Sequence, residues 1–98
     1  MSVRNVYLQA KVEGDKLIIS NISNEKILLK SILIKYYITA ENPVEEKQFR
    51  RTVSEEKKID SWLNPGNNIQ IPLTIPEVKE VSVIFSIGLT TLRQDIEL

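Results

Sequence analysis

Hydrophobic and polar positions alternate with a period of two along most of this chain, which is the spacing of β-strands that bury one face. Within residues 6–12, every second position is apolar, namely Val6, Leu8, Ala10 and Val12. The short turn "EGD" follows, and then a second hydrophobic segment, "KLIIS". Two such runs around a turn that contains glycine predict a β-hairpin at the start of the fold.

Residues 27–39 form the most hydrophobic segment, with apolar residues at both odd-numbered and even-numbered positions. β-Branched and aromatic residues dominate it, so we expect a central strand that is covered on much of both faces. The even-numbered positions carry more apolar residues, and we assign them to the core: Leu28, Ile32, Ile34, Tyr36 and Ile38. We expect the apolar residues at odd-numbered positions to form a strip on the outer face of the sheet: Ile27, Leu29, Leu33 and Tyr37.

The charged segment 41–63 fits two interpretations. A turn at 41–46 and a strand at 47–53 are favoured, because the apolar residues there recur at strand spacing. For the rest, 54–63, a short helix is the alternative, since Ser54 is a residue that caps helices.

Two prolines interrupt the alternating segment "IQIPLTIPEV". The backbone N–H groups of residues 72 and 76 would point to the same edge of a strand. Because proline has no N–H, this edge loses two hydrogen-bond donors. The other side can still pair fully with an inner neighbour through the core-facing residues Ile69, Ile71, Leu73 and Ile75. This pattern predicts an edge strand that is protected against the addition of another chain.

The segments add up to about seven short strands separated by turns, within a length of 98 residues that suits one domain covering 1–98. In strand count and turn spacing the chain resembles immunoglobulin-like β-sandwiches, which implies an all-β fold of antiparallel strands. The Cys and Trp spacing of antibody domains is absent. A small β-barrel, with a short helix near 54–63, is the alternative architecture.

The composition argues against several kinds of chemistry. Without cysteine or histidine the chain lacks a thiolate nucleophile, the usual general base near neutral pH and the commonest zinc ligands. The glycines are too scattered for a loop that binds phosphate. We therefore expect no enzymatic activity, no cofactor, no metal site and no small-molecule substrate.

The N-terminal segment alternates like a strand and shows no apolar run of export-signal length, and the longest apolar run of the chain falls short of a membrane span. We expect a cytoplasmic protein that does not enter membranes. The abundance of Ile, Lys and Glu gives the chain a thermophile-like composition.

A surplus apolar strip on a small sandwich indicates a surface for protein binding. We expect Leu29, Leu33 and Tyr37 to form this surface, with Trp62, the one tryptophan, as an anchor. Two alternatives stay open: Trp62 closes one end of the sandwich, which the general burial of aromatic side chains favours, and loop residues or lysine side chains shield Leu29 and Leu33. The chain would then be a non-catalytic interaction module, such as a small accessory subunit or adaptor of a cytoplasmic complex. Its partner would be another protein or a second copy of itself.

The alternative function is an accessory role in nucleic-acid binding. Lys47, Arg50 and Arg51 surround Phe49, an arrangement that could contact phosphates while the ring stacks on a base. However, the 13 basic residues are matched by 13 acidic ones, and glutamates flank the arginines. Because acidic neighbours repel a phosphate backbone, nucleic acid is not the favoured partner.

Overall fold

A computed structural model describes residues 6–42, 47–74 and 77–98, with side chains for 6–37, 51–74 and 77–98. Over these residues the chain forms seven antiparallel strands in two sheets, with β1, β2 and β5 in one and β4, β3, β6 and β7 in the other, in that spatial order. The strands are β1 (Leu8–Glu13), β2 (Lys16–Asn21), β3 (Ile27–Asn42), β4 (Lys47–Leu63), β5 (Asn68–Pro72), β6 (Val78–Ile87) and β7 (Thr90–Glu97).

This architecture confirms the predicted all-β sandwich. Lettered as in immunoglobulin-like domains, the sheets are A-B-E and C′-C-F-G, so the fourth strand joins the sheet of the third. The described residues contain no helix, and their sheets do not close into a barrel, so both alternatives are wrong. The predicted first hairpin is β1–β2, and the predicted central strand is β3, which lies between β4 and β6.

The core lies between the two sheets and is made of alternate residues from both. From the three-stranded sheet it receives Leu8, Leu17, Ile19 and Ile71, and from the four-stranded sheet Ile27, Leu29, Ile32, Ile34, Tyr36, Leu63, Val81, Val83 and Phe85. Tyr7 packs its ring against that of Phe85, with 5.7 Å between the ring centroids. Tyr36 is buried and Tyr37 is exposed, which confirms that the two tyrosines face opposite sides.

A β-bulge in β3 corrects the predicted assignment of its faces. Leu29 lies opposite Phe85 while Ser31 lies opposite Ile84, so β3 has one residue more than β6 at this point. An extra residue in a strand shifts every following side chain to the other face. The prediction that Ile27 and Leu29 lie on the outer face is therefore wrong, because both are fully buried. Leu28, predicted in the core, is half-buried on the outer face instead.

The predicted alternative of a helix over 54–63 is wrong because this segment pairs with β3. The strand β4 follows β3 from Asn42↔Lys47 to Ile27↔Leu63, with Ile59 and Asp60 opposite Lys30 at the bulge. Asp60 has a positive φ of 51°, the left-handed conformation that such irregularities use. The continuous backbone pairing with β3 outweighs the weak helix signals of this charged sequence.

Both open sides of the sandwich are joined by polar side chains. On one side, the Gln94 amide of β7 donates to the Leu8 carbonyl at 2.8 Å and accepts from the Leu8 and Tyr7 N–H groups at 3.1 and 3.2 Å. On the other side, Lys57 of β4 donates to the Pro72 carbonyl of β5 at 2.9 Å. These bonds connect edge strands that belong to different sheets.

The strand β5 lies at an edge and pairs with β2, as the proline pattern predicted. Ile71 faces the core opposite Leu17, and Pro72 occupies the last position of the strand. Pro76 and Ile75 lie outside the described residues.

The strands β3 and β4 extend beyond the rest of the four-stranded sheet. Among the described pairs, Tyr36 is the last residue of β3 that pairs with β6, whereas its pairing with β4 continues to Asn42. The two segments, 37–42 and 47–52, form a two-stranded arm. Consistent with this shape, the radius of gyration is 15.8 Å, against about 13 Å for a compact domain of this length. Of the turn predicted at 41–46, residues 41 and 42 belong to β3, and 43–46 lie outside the described residues.

Candidate protein-interaction face

The candidate site is the outer face, by which we mean the surface of the four-stranded sheet that points away from the core. Its side chains come from alternate residues of all four strands, in rows set by the backbone register. One row runs through Lys58, Ser31, Ile84 and Arg93, and the next through Glu56, Leu33, Ser82 and Asp95. Each row therefore crosses the sheet in the order β4, β3, β6, β7.

Apolar side chains form a broken strip across the outer face. Trp62 is 57% exposed, Tyr37 is 39% exposed and Ile84 is 38% exposed, while Leu28 and Leu33 are half-buried. Leu28 lies opposite Trp62, and Leu33 lies diagonally across from Ile84. Scattered apolar residues are normal on a protein surface, whereas neighbouring ones on one face mark a candidate contact surface.

Leu33, Tyr37 and Trp62 thus lie on one face, as predicted, whereas Leu29 does not because it is buried in the core. The bulge in β3 accounts for the difference, since it turns Leu29 inward and leaves Leu33 and Tyr37 outward.

Trp62 is exposed rather than closing one end of the sandwich. It lies on the edge strand β4, and the Lys26 ammonium sits 4.8 Å from its ring centroid, within cation–π distance. The contact occupies part of the ring and leaves the rest exposed to solvent.

A cleft of about 130 Å³ lies at the centre of the outer face. This volume is several times what a single water molecule requires. Serines face leucine and isoleucine across it, and charged side chains stand at its two sides. The lining residues are Ser31, Ile32, Leu33, Glu56, Ser82, Ile84 and Arg93.

Charges of both signs surround the cleft. The Arg93 guanidinium contacts the Asp95 carboxylate at 3.0 Å and the Ser82 hydroxyl at 3.4 Å. Hydrogen bonding from Ser82, and then from Arg93, lowers the pKa of Asp95, so the carboxylate is ionised at neutral pH. Further along the same face, Lys35 pairs with Glu80 at 3.7 Å. The outer face therefore presents charges of alternating sign around an apolar centre.

The residues predicted for nucleic-acid binding all belong to the two-stranded arm. Lys47, Phe49 and Arg50 lie opposite Asn42, Ala40 and Thr39 in the backbone register, and their side chains lie outside the described set. Arg51 lies opposite Ile38 and is exposed. The arm thus brings these residues together on one strand, away from the cleft.

Prediction from the sequence missed the residues that form the cleft, namely Ser31, Glu56, Ser82, Ile84 and Arg93. They come from four separate strands, and only the pairing register brings them into adjacent rows. One signal was present in β6, where the serines at 82 and 86 alternate with valine and phenylalanine and mark Ile84 as an apolar residue on the polar face.

The described residues contain no group of three or more Asp, Glu, His or Cys side chains placed to hold a metal ion. Within the same part of the chain, no helix is long and apolar enough to cross a membrane. Comparisons with protein-family models, with curated proteins and with solved structures find no match to this chain. The fold class and the geometry of the outer face are therefore the basis for the functional argument.

Proposed function

We propose that this protein is a non-catalytic interaction module, a small accessory subunit or adaptor of a cytoplasmic complex, and that it binds a partner protein through the outer face. One observation carries the proposal: large apolar side chains and a cleft lie together on one sheet face that no other element among the described residues covers. Removing such apolar side chains from water is favourable and is a main driving force of protein association.

The edges of the sheets support a binding mode through the face rather than through strand addition. The edge strand β5 ends at Pro72. The edge strand β4 carries Glu55 and Lys57 on its inward side and an irregularity at Asp60. Inward charges and bulges are common means of preventing a sheet edge from pairing with another chain. Along β4 and β5, a partner therefore meets fewer obstacles on the outer face than at the strand edge.

The projecting arm favours a second candidate function, accessory binding of nucleic acid. A two-stranded β-ribbon fits the major groove of DNA, and Lys47, Arg50 and Arg51 lie on such a ribbon. The equal numbers of acidic and basic residues in the chain weigh against it. If the arm binds nucleic acid, affinity should fall steeply with salt concentration, and Arg50→Ala/Arg51→Ala should reduce the slope of that dependence.

The proposed function is tested by recovering the tagged protein from its native lysate, with and without nuclease, and identifying what co-purifies. We expect a stoichiometric protein that survives nuclease treatment and is lost with Leu33→Glu, because this change places a charge at the centre of the cleft.

The matched control is Leu89→Glu, the same change at a fully exposed leucine in the β6–β7 turn. Binding should persist in this variant. Equal loss with both variants would refute a role for the outer face, and recovery of nuclease-sensitive material alone would favour the arm instead.

A further inference from the structure

The two central rows of the outer face are complementary to each other. The row Lys58–Ser31–Ile84–Arg93 reads positive, small, large, positive across the sheet. The neighbouring row, Glu56–Leu33–Ser82–Asp95, reads negative, large, small, negative. Every strand thus presents one residue and, two positions along, its complement in size or in charge.

We propose that the partner of the outer face is a second copy of this chain, packed face to face about a two-fold axis that runs across the strands between these two rows. This inference rests on the proposed function, because it names the partner of the same surface. A two-fold axis in this direction keeps each strand over its own copy and exchanges the two rows.

Exchange of the rows places a large side chain over a small one on both central strands, β3 and β6. Leu33 then lies over Ser31 of the second copy, and Ile84 lies over Ser82 of the second copy. The cleft between these residues provides the space for the two large side chains. Interdigitation of this kind is how facing sheets pack at about 10 Å.

The same exchange brings opposite charges together on both edge strands. Lys58 faces Glu56 of the second copy, and Arg93 faces Asp95 of the second copy. The intramolecular contact of Arg93 with Asp95 at 3.0 Å then becomes part of a ring of four charges with alternating sign. One row further out, Leu28 and Ser86 lie over the Lys35–Glu80 pair of the second copy.

The charges also exclude the other simple arrangement. A two-fold axis along the strands, between β3 and β6, would still place Leu33 over Ser82 and Ile84 over Ser31. It would, however, bring Lys58 over Arg93 and Glu56 over Asp95, like charges at both edges, which is unfavourable. Shape alone permits two axes, and charge selects one.

The size of the face suits a specific but modest dimer. Four strands about 4.8 Å apart and eight residues at about 3.3 Å each cover roughly 500 Å² per chain, or about 1,000 Å² in total. This total lies near the lower limit of specific protein interfaces. We therefore expect a dimer that dissociates on dilution in the micromolar range.

The test is sedimentation equilibrium of the wild type, Lys58→Glu, Glu56→Lys and their equimolar mixture, over micromolar to high micromolar concentrations. Each single variant places like charges opposite each other twice across the axis, so we expect its dimerisation to weaken roughly tenfold. In the mixture both contacts are again between opposite charges, so a heterodimer should form with nearly the affinity of the wild type. Both positions are exposed, and thermal unfolding of each variant checks that its fold is intact.

A dimeric wild type whose Lys58→Glu variant dimerises equally well or better would overturn the inference, because the axis along the strands pairs that position with Arg93. A wild type that stays monomeric over the whole range would overturn it as well. In that case, a different protein that is captured from the lysate and lost with Leu33→Glu would leave the proposed function standing, so the two failures are distinguishable.

Discussion

Gln94 connects the two sheets of this sandwich, and its replacement gives the sharpest test of how the fold is held together. Its amide forms one hydrogen bond to the Leu8 carbonyl and accepts two more, from the Leu8 and Tyr7 N–H groups, all between 2.8 and 3.2 Å. The side chain thus supplies to β1 the donor and acceptor that a neighbouring strand would supply. Removing it leaves backbone groups of β1 without partners at a partly buried position.

The cost of Gln94→Leu follows from these contacts. The substitution roughly conserves the volume but removes three hydrogen bonds, each worth about 0.5–1.5 kcal/mol, with an added penalty for the groups left unsatisfied. We expect a loss of about 3 kcal/mol, which is a large part of the about 5–15 kcal/mol that stabilises a typical domain. The corresponding fall in melting temperature is roughly 12–24 °C for a chain of this size.

The assay is denaturant-induced and thermal unfolding of the wild type and of Gln94→Leu, with Glu97→Gln on the same strand as the control. Glu97 is exposed, so its change should shift stability by less than about 0.5 kcal/mol. A loss below about 1 kcal/mol for Gln94→Leu would refute the argument, since it would mean that water satisfies the Leu8 backbone equally well.

Two further predictions concern buried polar side chains. Burial, and then the 2.8 Å hydrogen bond to Glu55, raises the pKa of Tyr36 from 10.0 to about 12, so its contribution to stability is complete below pH 10 and is lost as the pH rises through 12. The wild type should lose stability over this interval more steeply than Tyr36→Phe in pH-dependent urea unfolding, and equal slopes would contradict the burial of this hydroxyl. The buried Asn21 amide donates to the Glu25 and Leu63 carbonyls at 2.7 and 2.9 Å, so Asn21→Ala should cost about 2–3 kcal/mol in the same assay, and a cost under about 1 kcal/mol would contradict this role.

The elements of this fold were predictable where the signal is local. Alternation at 6–12 and the turn that follows it predicted the first hairpin, and the proline pattern predicted the edge position of β5. Each depends on residues close together in sequence, because side-chain alternation and backbone donors are properties of a single strand.

The faces of β3 were not predictable in the same way. A single extra residue at Lys30 places Leu29 in the core and leaves Leu33 outside. In a regular strand the two would lie on the same face, because they are four positions apart. Bulges carry little local signal, since an ordinary lysine occupies this one and the shift is defined only against the neighbouring strand. For a similar reason, the strand at 54–63 was obscured by charged residues that also suit a helix.

The sequence by itself determined the all-β class, the central position of β3 and a surplus of apolar residues at Leu33, Tyr37 and Trp62, because these follow from alternation and composition along one strand at a time. The tertiary structure alone decided which apolar residues reach the surface and what surrounds them. Ser31, Ile84 and Arg93 are far apart in sequence, and they form one row because two separate strand registers align them. Complementarity between two such rows belongs to the paired sheet, so no single segment of the chain contains it.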